Sequence, residues 1–445
     1  MSRKTYSVLL IATGLFLGGF SASAQSGEYG SFTPYSVFGV GDLSSPGSAY
    51  NAGMAGVGIA TRNHRYLNTV NPAAISARDS LAMMLDFTID NANTLYRQNY
   101  GGETFRSGNN RTNVSSFAMS FPIWNKLSAA VGLRPYSSVG YKYKIVEDDP
   151  AMIANNGSIS YSANGLGSLY NVFGAASWAI GKRLSVGAEA DYIFGKVEKS
   201  FAQDFSASAY NEVQDKYTLN LNSLSGKFGL QYEQPIGKDW KIGVGATYFL
   251  SGRLKGYIDY ASAAVGSVES LTIDSFSDTL GMRANPIYLA NEAGLGISVN
   301  YADKFRAELN YLRADWTKSG MDLADGFATA DAKLPMATTV KESWKLGFEY
   351  VPNINDVRYY YRKMAYRAGA YFNKEYFTLA GQPVNSAGIT LGVTLPVFRW
   401  YNGVSITMDA GQRGGLQNGM VRERYIKFSV GVNLFDIWFV KTQYQ

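Results

Sequence analysis

Cysteine is absent from the 445 residues and histidine occurs once. Without a thiol there is no disulfide framework, no cysteine nucleophile and no Cys-based metal site. A chain with no Cys suits an oxidising compartment, where a stray thiol is a liability. The one histidine, His64, lies in "RNHRYLN" between Arg62 and Arg65. A Ser–His mechanism needs that imidazole beside a nucleophile and an orienting group, and two cationic neighbours do not help make a base. No catalytic residue, no metal site and no cofactor is therefore expected. Charge is scarce too, at 17% of residues, and no basic run with interleaved aromatics occurs, so no nucleic-acid partner is expected. "GVGIAT" has glycines but neither a strand–turn–helix context nor a P-loop lysine. The acidic run Glu147-Asp148-Asp149 reads as a solvated loop rather than a Ca²⁺ site. Beyond the N-terminus no stretch of 18 apolar residues appears, which excludes a transmembrane helix. It does not exclude a membrane β-barrel, whose strands alternate so that hydropathy averages out.

What is present begins with an address. Arg3 and Lys4 precede the apolar run from Val8 to Phe20, and Ala22-Ser23-Ala24 follows as an A-x-A cleavage pattern. Residues 1–24 read as a secretory signal peptide, with a mature start near Gln25 that is not the Cys of a lipoprotein. Removing its two positive charges lowers the formal charge from +6 to +4.

The rest of the chain carries 32 Tyr, 24 Phe and 47 Gly, and alternates with period two. In "SAGITLGVTLPV", Ile389, Leu391 and Val393 share one face while Thr390, Gly392 and Thr394 share the other. "YIKFSVGVNL" and "RLSVGAEADYIF" repeat the pattern. The polar faces carry Gly, Ser, Asn and charges of both signs, and the apolar faces carry few charges. Trp178, Trp240, Trp344, Trp400 and Trp438 sit near strand ends, where an interfacial girdle would place them. Fourteen candidate strands follow from Leu81 to the C-terminus. Their connections sort by length: tight at 122–126, 180–183, 235–239 and 302–304, long at 91–111, 145–159, 200–215, 257–287 and 314–340. The connection after the tenth strand, from Val351, breaks the rule. Short turns on one side and long loops on the other describe an outer-membrane barrel. The expected fold is thus all-β: a transmembrane antiparallel barrel over 81–445, in the cell outer membrane, in contact with outer-membrane lipid. Arginine at lipid-facing Leu391 or Val430 is expected to be costly, and at Thr390 or Ser429 far milder.

Residues 25–80 precede the first strand and are too apolar and too rich in small residues for a solvated linker. A segment of this size can fold into the lumen as a hatch. Polar-face charges at Arg134, Glu189, Asp191, Arg306, Glu308, Glu349 and Arg367, with Lys227, Glu233 and Lys345, could pair with one another and with its backbone. The pattern from small residues and glycines (Ala52-Gly53, Gly56, Gly58, Ala60) to Asn71-Pro72-Ala73, behind "YSVFGVGDL", resembles the hatch of the long-chain fatty-acid outer-membrane transporter (FadL-like) family, in its Bacteroidota-type branch. The resemblance implies fourteen strands, an N-terminal hatch with Gly53, Gly56, Asn71, Pro72 and Ala73 as gating candidates, and a third strand that kinks inward and opens the wall sideways, here near Pro135. It implies passive uptake of hydrophobic, fatty-acid-like small molecules with lateral exit. The third outer loop (200–215) is shorter than the family pattern requires for ligand capture. The alternative function is a protein-interaction barrel, a subunit or shuttle of an outer-membrane secretion or assembly complex, whose partners are other outer-membrane proteins. A continuous apolar cavity above the hatch favours uptake, and a lumen closed by paired charges favours interaction.

Overall fold

The chain is described by a computed structural model over residues 30–437, except 79–80, 101, 125, 148–149, 207–210, 266–269, 280–285, 329–334, 398–401 and 418. The signal peptide, Trp400 and Trp438 lie outside the described residues. One antiparallel sheet closes on itself as fourteen strands. These are β1 Ala82–Tyr100, β2 Glu103–Pro122, β3 Leu127–Val146, β4 Ile159–Ile180, β5 Leu184–Phe205 and β6 Glu212–Ile236. β7 is interrupted (Trp240–Leu250 and Lys255–Val265), as are β8 (Ser270–Thr279 and Glu292–Tyr301) and β10 (Met336–Thr338 and Val340–Tyr350). β9 is Phe305–Asp315, β11 Ala365–Leu379, β12 Gln382–Pro396, β13 Gly403–Arg413 and β14 Val421–Ile437. β14 pairs with β1 from Val421↔Gln98 to Ile437↔Ala82, which closes the ring and removes the sheet edges that water would otherwise have to satisfy.

Period two decides which side chains face which medium. On β12, Ile389 and Leu391 are 59% and 50% exposed, while Thr390 and Thr394 are buried. On β14, Ile426 and Phe428 point outward and Ser429 and Asn433 inward. Exposed Val172, Leu230, Val244, Ile297 and Leu309 continue the apolar exterior around the ring. An apolar band of that extent on a closed barrel is a lipid contact. Trp178 and Trp240 lie at the short-turn rim and Trp344 higher on β10, all facing outward.

The short connections sit where expected, at 123–126, 181–183, 237–239 and 302–304. The long ones differ. Residues 91–111 and 200–215 are mostly hairpin: β1 and β2 stay paired as far as Tyr100↔Glu103, and β5 and β6 as far as Gln203↔Val213. Most of 257–287 likewise is strand, paired Tyr257↔Thr279 to Val265↔Ser270. Above the membrane both faces of a hairpin are wet, so the apolar–polar alternation that marks a wall strand disappears although the ladder continues.

Two further features aim the strands. β2 and β3 pair only from Pro122↔Ser128 to Phe117↔Leu133. Beyond that point β3 keeps its ladder to β4, with an irregularity between Pro135 and Ser137, and its other edge pairs with the short strand Asp42–Leu43.

The inward Thr390 is not a permissive position. Its hydroxyl accepts from the Ala55 N–H at 2.9 Å, so the expected mildness of arginine there is corrected: the site is packed. Leu391→Arg should cost about 2–4 kcal/mol near the midplane. Reversible urea unfolding from liposomes measures it, and a neutral result would contradict the outward assignment of this face.

Candidate functional site

Residues 30–78 lie against inward-facing side chains on opposite sides of the ring, and their contacts fall into two storeys. The storey nearer the short turns is polar. Arg134 on β3 lies 2.5 Å from Glu189 and 3.0 Å from Asp191 on β5, with its guanidinium 4.5 Å from the Phe173 ring centre. Asn171 donates to Asp191 at 2.6 Å. Across the ring, Glu349 on β10 takes Arg306 at 3.1 Å and Arg367 at 2.9 Å. Arg306 also donates to the Tyr50 hydroxyl, and Arg367 stacks over the Tyr50 ring. Glu308 has no cation within ion-pair distance among the described residues. Its carboxylate accepts instead from the Ala60 N–H at 2.8 Å and from the Thr61 hydroxyl. Lys227 donates to the Val70 carbonyl and Gln231 to the Ile59 carbonyl. Buried backbone groups of an irregular segment must find partners, and the wall supplies them.

Close approach depends on missing side chains. A Cβ on Gly229 would collide with the Asn71 side chain, and one on Gly245 with the Ile59 carbonyl. Asn71 itself caps the 3₁₀ turn Pro72–Ala77: its Oδ1 accepts from the Ala73 N–H at 3.0 Å, and its Nδ2 donates to Ile59 and to Leu230 of the wall. Pro72 and Ala73 are buried against β5 and β6. Gly53 packs against Gly392, and its carbonyl accepts from Thr390 at 3.2 Å. Gly56 takes φ +77°, closing the turn after the helix Ala49–Ala52. His64 is half-buried on this segment.

The outer storey is apolar. Phe38 is fully buried among Tyr376, Phe377, Leu169, Ile193 and Leu219 from the wall. Leu254, Ile287, Trp316, Met321 and Phe327 close over it from the stretches between outer strands. The carbonyls of the turn around Phe38 are held individually. Tyr376 donates to Phe38 and Gly41 at 3.1 and 2.7 Å, and Lys199 to Val37 and Gly39 at 2.7 and 3.2 Å. Arg413, at the outer end of β13, reaches Glu423 at 2.9 Å, Asp42 at 2.7 Å and the Thr33 hydroxyl at 2.8 Å. Burial alone would raise the Asp42 carboxyl, but the Arg413 guanidinium, with Arg111 and the Ser31 hydroxyl, more than reverses this and holds it below the usual carboxylate value.

Of the ten polar-face charges singled out in the sequence, Arg134, Glu189, Asp191, Arg306, Glu308, Glu349 and Arg367 face the interior, and six of these seven form two ion-paired clusters. Lys199, Tyr376, Arg413 and Glu423 were not foreseen. The signal was present for Lys199: Glu189, Asp191, Ile193 and Val197 run inward at every second or fourth residue, and Lys199 continues that face. The inward series changes from charged to apolar half-way, so the face no longer stands out from the lipid side.

Breaking one of these clusters leaves buried charge without a partner. Arg134→Leu should destabilise by about 3–5 kcal/mol, read as a fall in the temperature of the heat-modified gel transition. A variant as stable as the parent would mean that solvent reaches Glu189 and Asp191.

Solved structures with the same architecture are outer-membrane proteins. A Pseudomonas aeruginosa FadL homologue aligns with TM-score 0.58 at 11% identity, over 89% of this chain and 100% of its own. The Pseudomonas putida toluene transporter TodX gives 0.57 at 14%, over 90% and 100%. The CymD monoaromatic hydrocarbon channel gives 0.55 at 14%, over 89% and 98%. At these identities the likeness is one of fold. No curated protein matches the sequence. The family model described as BamG matches residues 1–445. On a FadL-type fourteen-strand barrel, then, this chain belongs to the BamG family.

Proposed function

We propose that this chain is a closed outer-membrane barrel that acts through its surfaces, as a subunit of an outer-membrane secretion or assembly complex, and does not conduct solutes through its lumen. The observation that carries this reading is Phe38. A channel for hydrophobic compounds needs an apolar cavity of a few hundred Å³ above its plug. Here the apolar storey is packed around the chain's own Phe38, Tyr35 and Val37. Beneath it the polar storey is closed by ion pairs and by hydrogen bonds to residues 49–73. In this reading residues 25–80 are a fixed hatch. Gly53, Gly56, Asn71, Pro72 and Ala73 anchor it, and Arg134, Glu189, Asp191, Arg306, Glu308, Glu349 and Arg367 hold it from the wall. Opening would strip Glu308, Lys227 and Lys199 of the hatch groups that satisfy them, and a buried charge left without a partner costs several kcal/mol.

Uptake of hydrophobic small molecules remains the second reading, and one observation favours it. β3 leaves β2 after Leu133, and Pro135, which has no ladder donor, sits at the departure. A compound leaving sideways there would enter lipid without crossing water. Relatives of the same fold are described as toluene and monoaromatic hydrocarbon channels. Fatty-acid-like substrates, hatch gating and lateral exit belong to this second reading.

Planar bilayers separate the two. The full-length protein should stay silent, and a variant lacking residues 31–75 should conduct small ions. Material drawn from native outer membranes in mild detergent should migrate as a complex with other proteins in fixed ratio. A monomer that admits toluene into proteoliposomes, and loses that activity in Pro135→Ala, would overturn the proposal in favour of uptake.

A further inference from the structure

The modest net charge conceals a strong separation. Among the described residues, the six connections on the short-turn side, 123–126, 181–183, 237–239, 302–304, 351–364 and 397–402, carry eight Lys or Arg, three Asp and no Glu. The connections on the opposite side, 102, 147–158, 206–211, 316–335, 380–381 and 414–420, carry three acidic residues and one Lys among the described residues. Short turns face the periplasm in barrels of this type. The periplasmic face is thus basic.

The basic face reaches the middle of the mouth. Arg62 and Arg65 sit on the N-terminal segment inside the ring, half-exposed, and Arg62 donates to the Arg183 carbonyl of a short turn at 3.2 Å. Lipid headgroups meet the perimeter of a barrel and not its centre. A soluble chain can reach the centre.

The turn that breaks the short-turn rule supplies an anchor. Residues 351–364 are ordered from within: Asp356 accepts from the N–H groups of Arg358 and Tyr359 at 2.8 and 2.7 Å and pairs with Arg362 at 3.3 Å. That order presents Val357 at 94% exposure and Tyr360 and Tyr361 at about half, flanked by Arg358 and Arg362. Tyr, Arg and an exposed aliphatic on a preformed turn are the composition of binding hot spots.

We infer that the periplasmic face, from Arg62 and Arg183 across to the 351–364 turn, docks an acidic segment of a partner protein, with an apolar side chain seated at Val357 and Tyr361. This rests on the interaction reading above and names the partner's chemistry. Complementary charge would act chiefly on association rate and would weaken with salt.

The test uses the full-length protein in nanodiscs and a fluorescent 20-residue polyglutamate peptide at low salt. The expected result is binding that Lys182→Glu, Arg183→Glu and Arg358→Glu together weaken on the order of 10-fold or more, and that rising salt removes. Charge reversal on the far side, Glu103→Lys with Asp325→Lys, should leave it unchanged, with heat-modifiable migration confirming that each variant folds. Equal binding by the parent and the triple variant would overturn the inference. So would retention of phosphatidylglycerol by the same side chains with no peptide bound. Co-purification of a fixed partner by that triple variant would then leave the interaction reading standing while removing its electrostatic basis.

Discussion

The interior of a closed membrane barrel has to be filled or wetted, and this constraint organises the whole chain. Lipid fixes the outward residues as apolar, and period two then commits every second side chain to the lumen. In this chain those inward residues include Gln231 and the charged Glu308, Lys227 and Lys199, none of the three having an ion-pair partner within reach among the described residues. Each is satisfied by backbone of residues 37–70. An unpaired buried charge costs several kcal/mol, and an irregular buried backbone with no partners costs as much. Wall and N-terminal segment solve each other's problem, and a wall without the segment must leave these side chains to water.

The same dependence explains why the interior is layered. Where the segment is irregular and small-residue-rich, at 49–73, the wall offers charges and glycines. Where it turns tightly around Phe38, the wall offers Ile193, Leu219, Tyr376 and Phe377. A fold that relatives use to pass hydrophobic compounds here presents its own phenylalanine in the apolar storey. The scaffold is shared at 11–14% identity, and what fills it is set by particular side chains.

Much of the architecture was legible in the sequence. Fourteen strands were expected and fourteen close the ring, because the lipid-facing alternation survives over the membrane-spanning part of each strand. The inward orientation of Arg134, Glu189, Asp191, Arg306, Glu308, Glu349 and Arg367 was readable for the same reason. The hairpin extensions beyond Asn91 and Ser200 were not, since a ladder in water imposes no pattern on its side chains. Nor was the apolar storey. Val197 on β5 and Leu219 and Leu221 on β6 face inward and alternate with outward Lys196, Glu198, Thr218 and Asn220, so there the apolar face is the inner one and periodicity read as lipid contact points the wrong way. The function of Lys199 and Tyr376 could be seen only once the turn at Phe38 was placed between them. "YSVFGVGDL" entered the sequence reading as a family mark. Its physical role is to fill the outer storey.

The central claim is that residues 30–78 are a permanent part of the barrel's packing. Hydrogen exchange of the full-length protein in nanodiscs, followed by mass spectrometry, tests it most directly. Amides from Tyr35 to Ala77 held as described should exchange on the slow timescale of the β5 and β6 wall strands. Exchange of that segment within seconds, while the wall stays protected, would mean that it leaves the lumen readily, and the account of a closed barrel would fail.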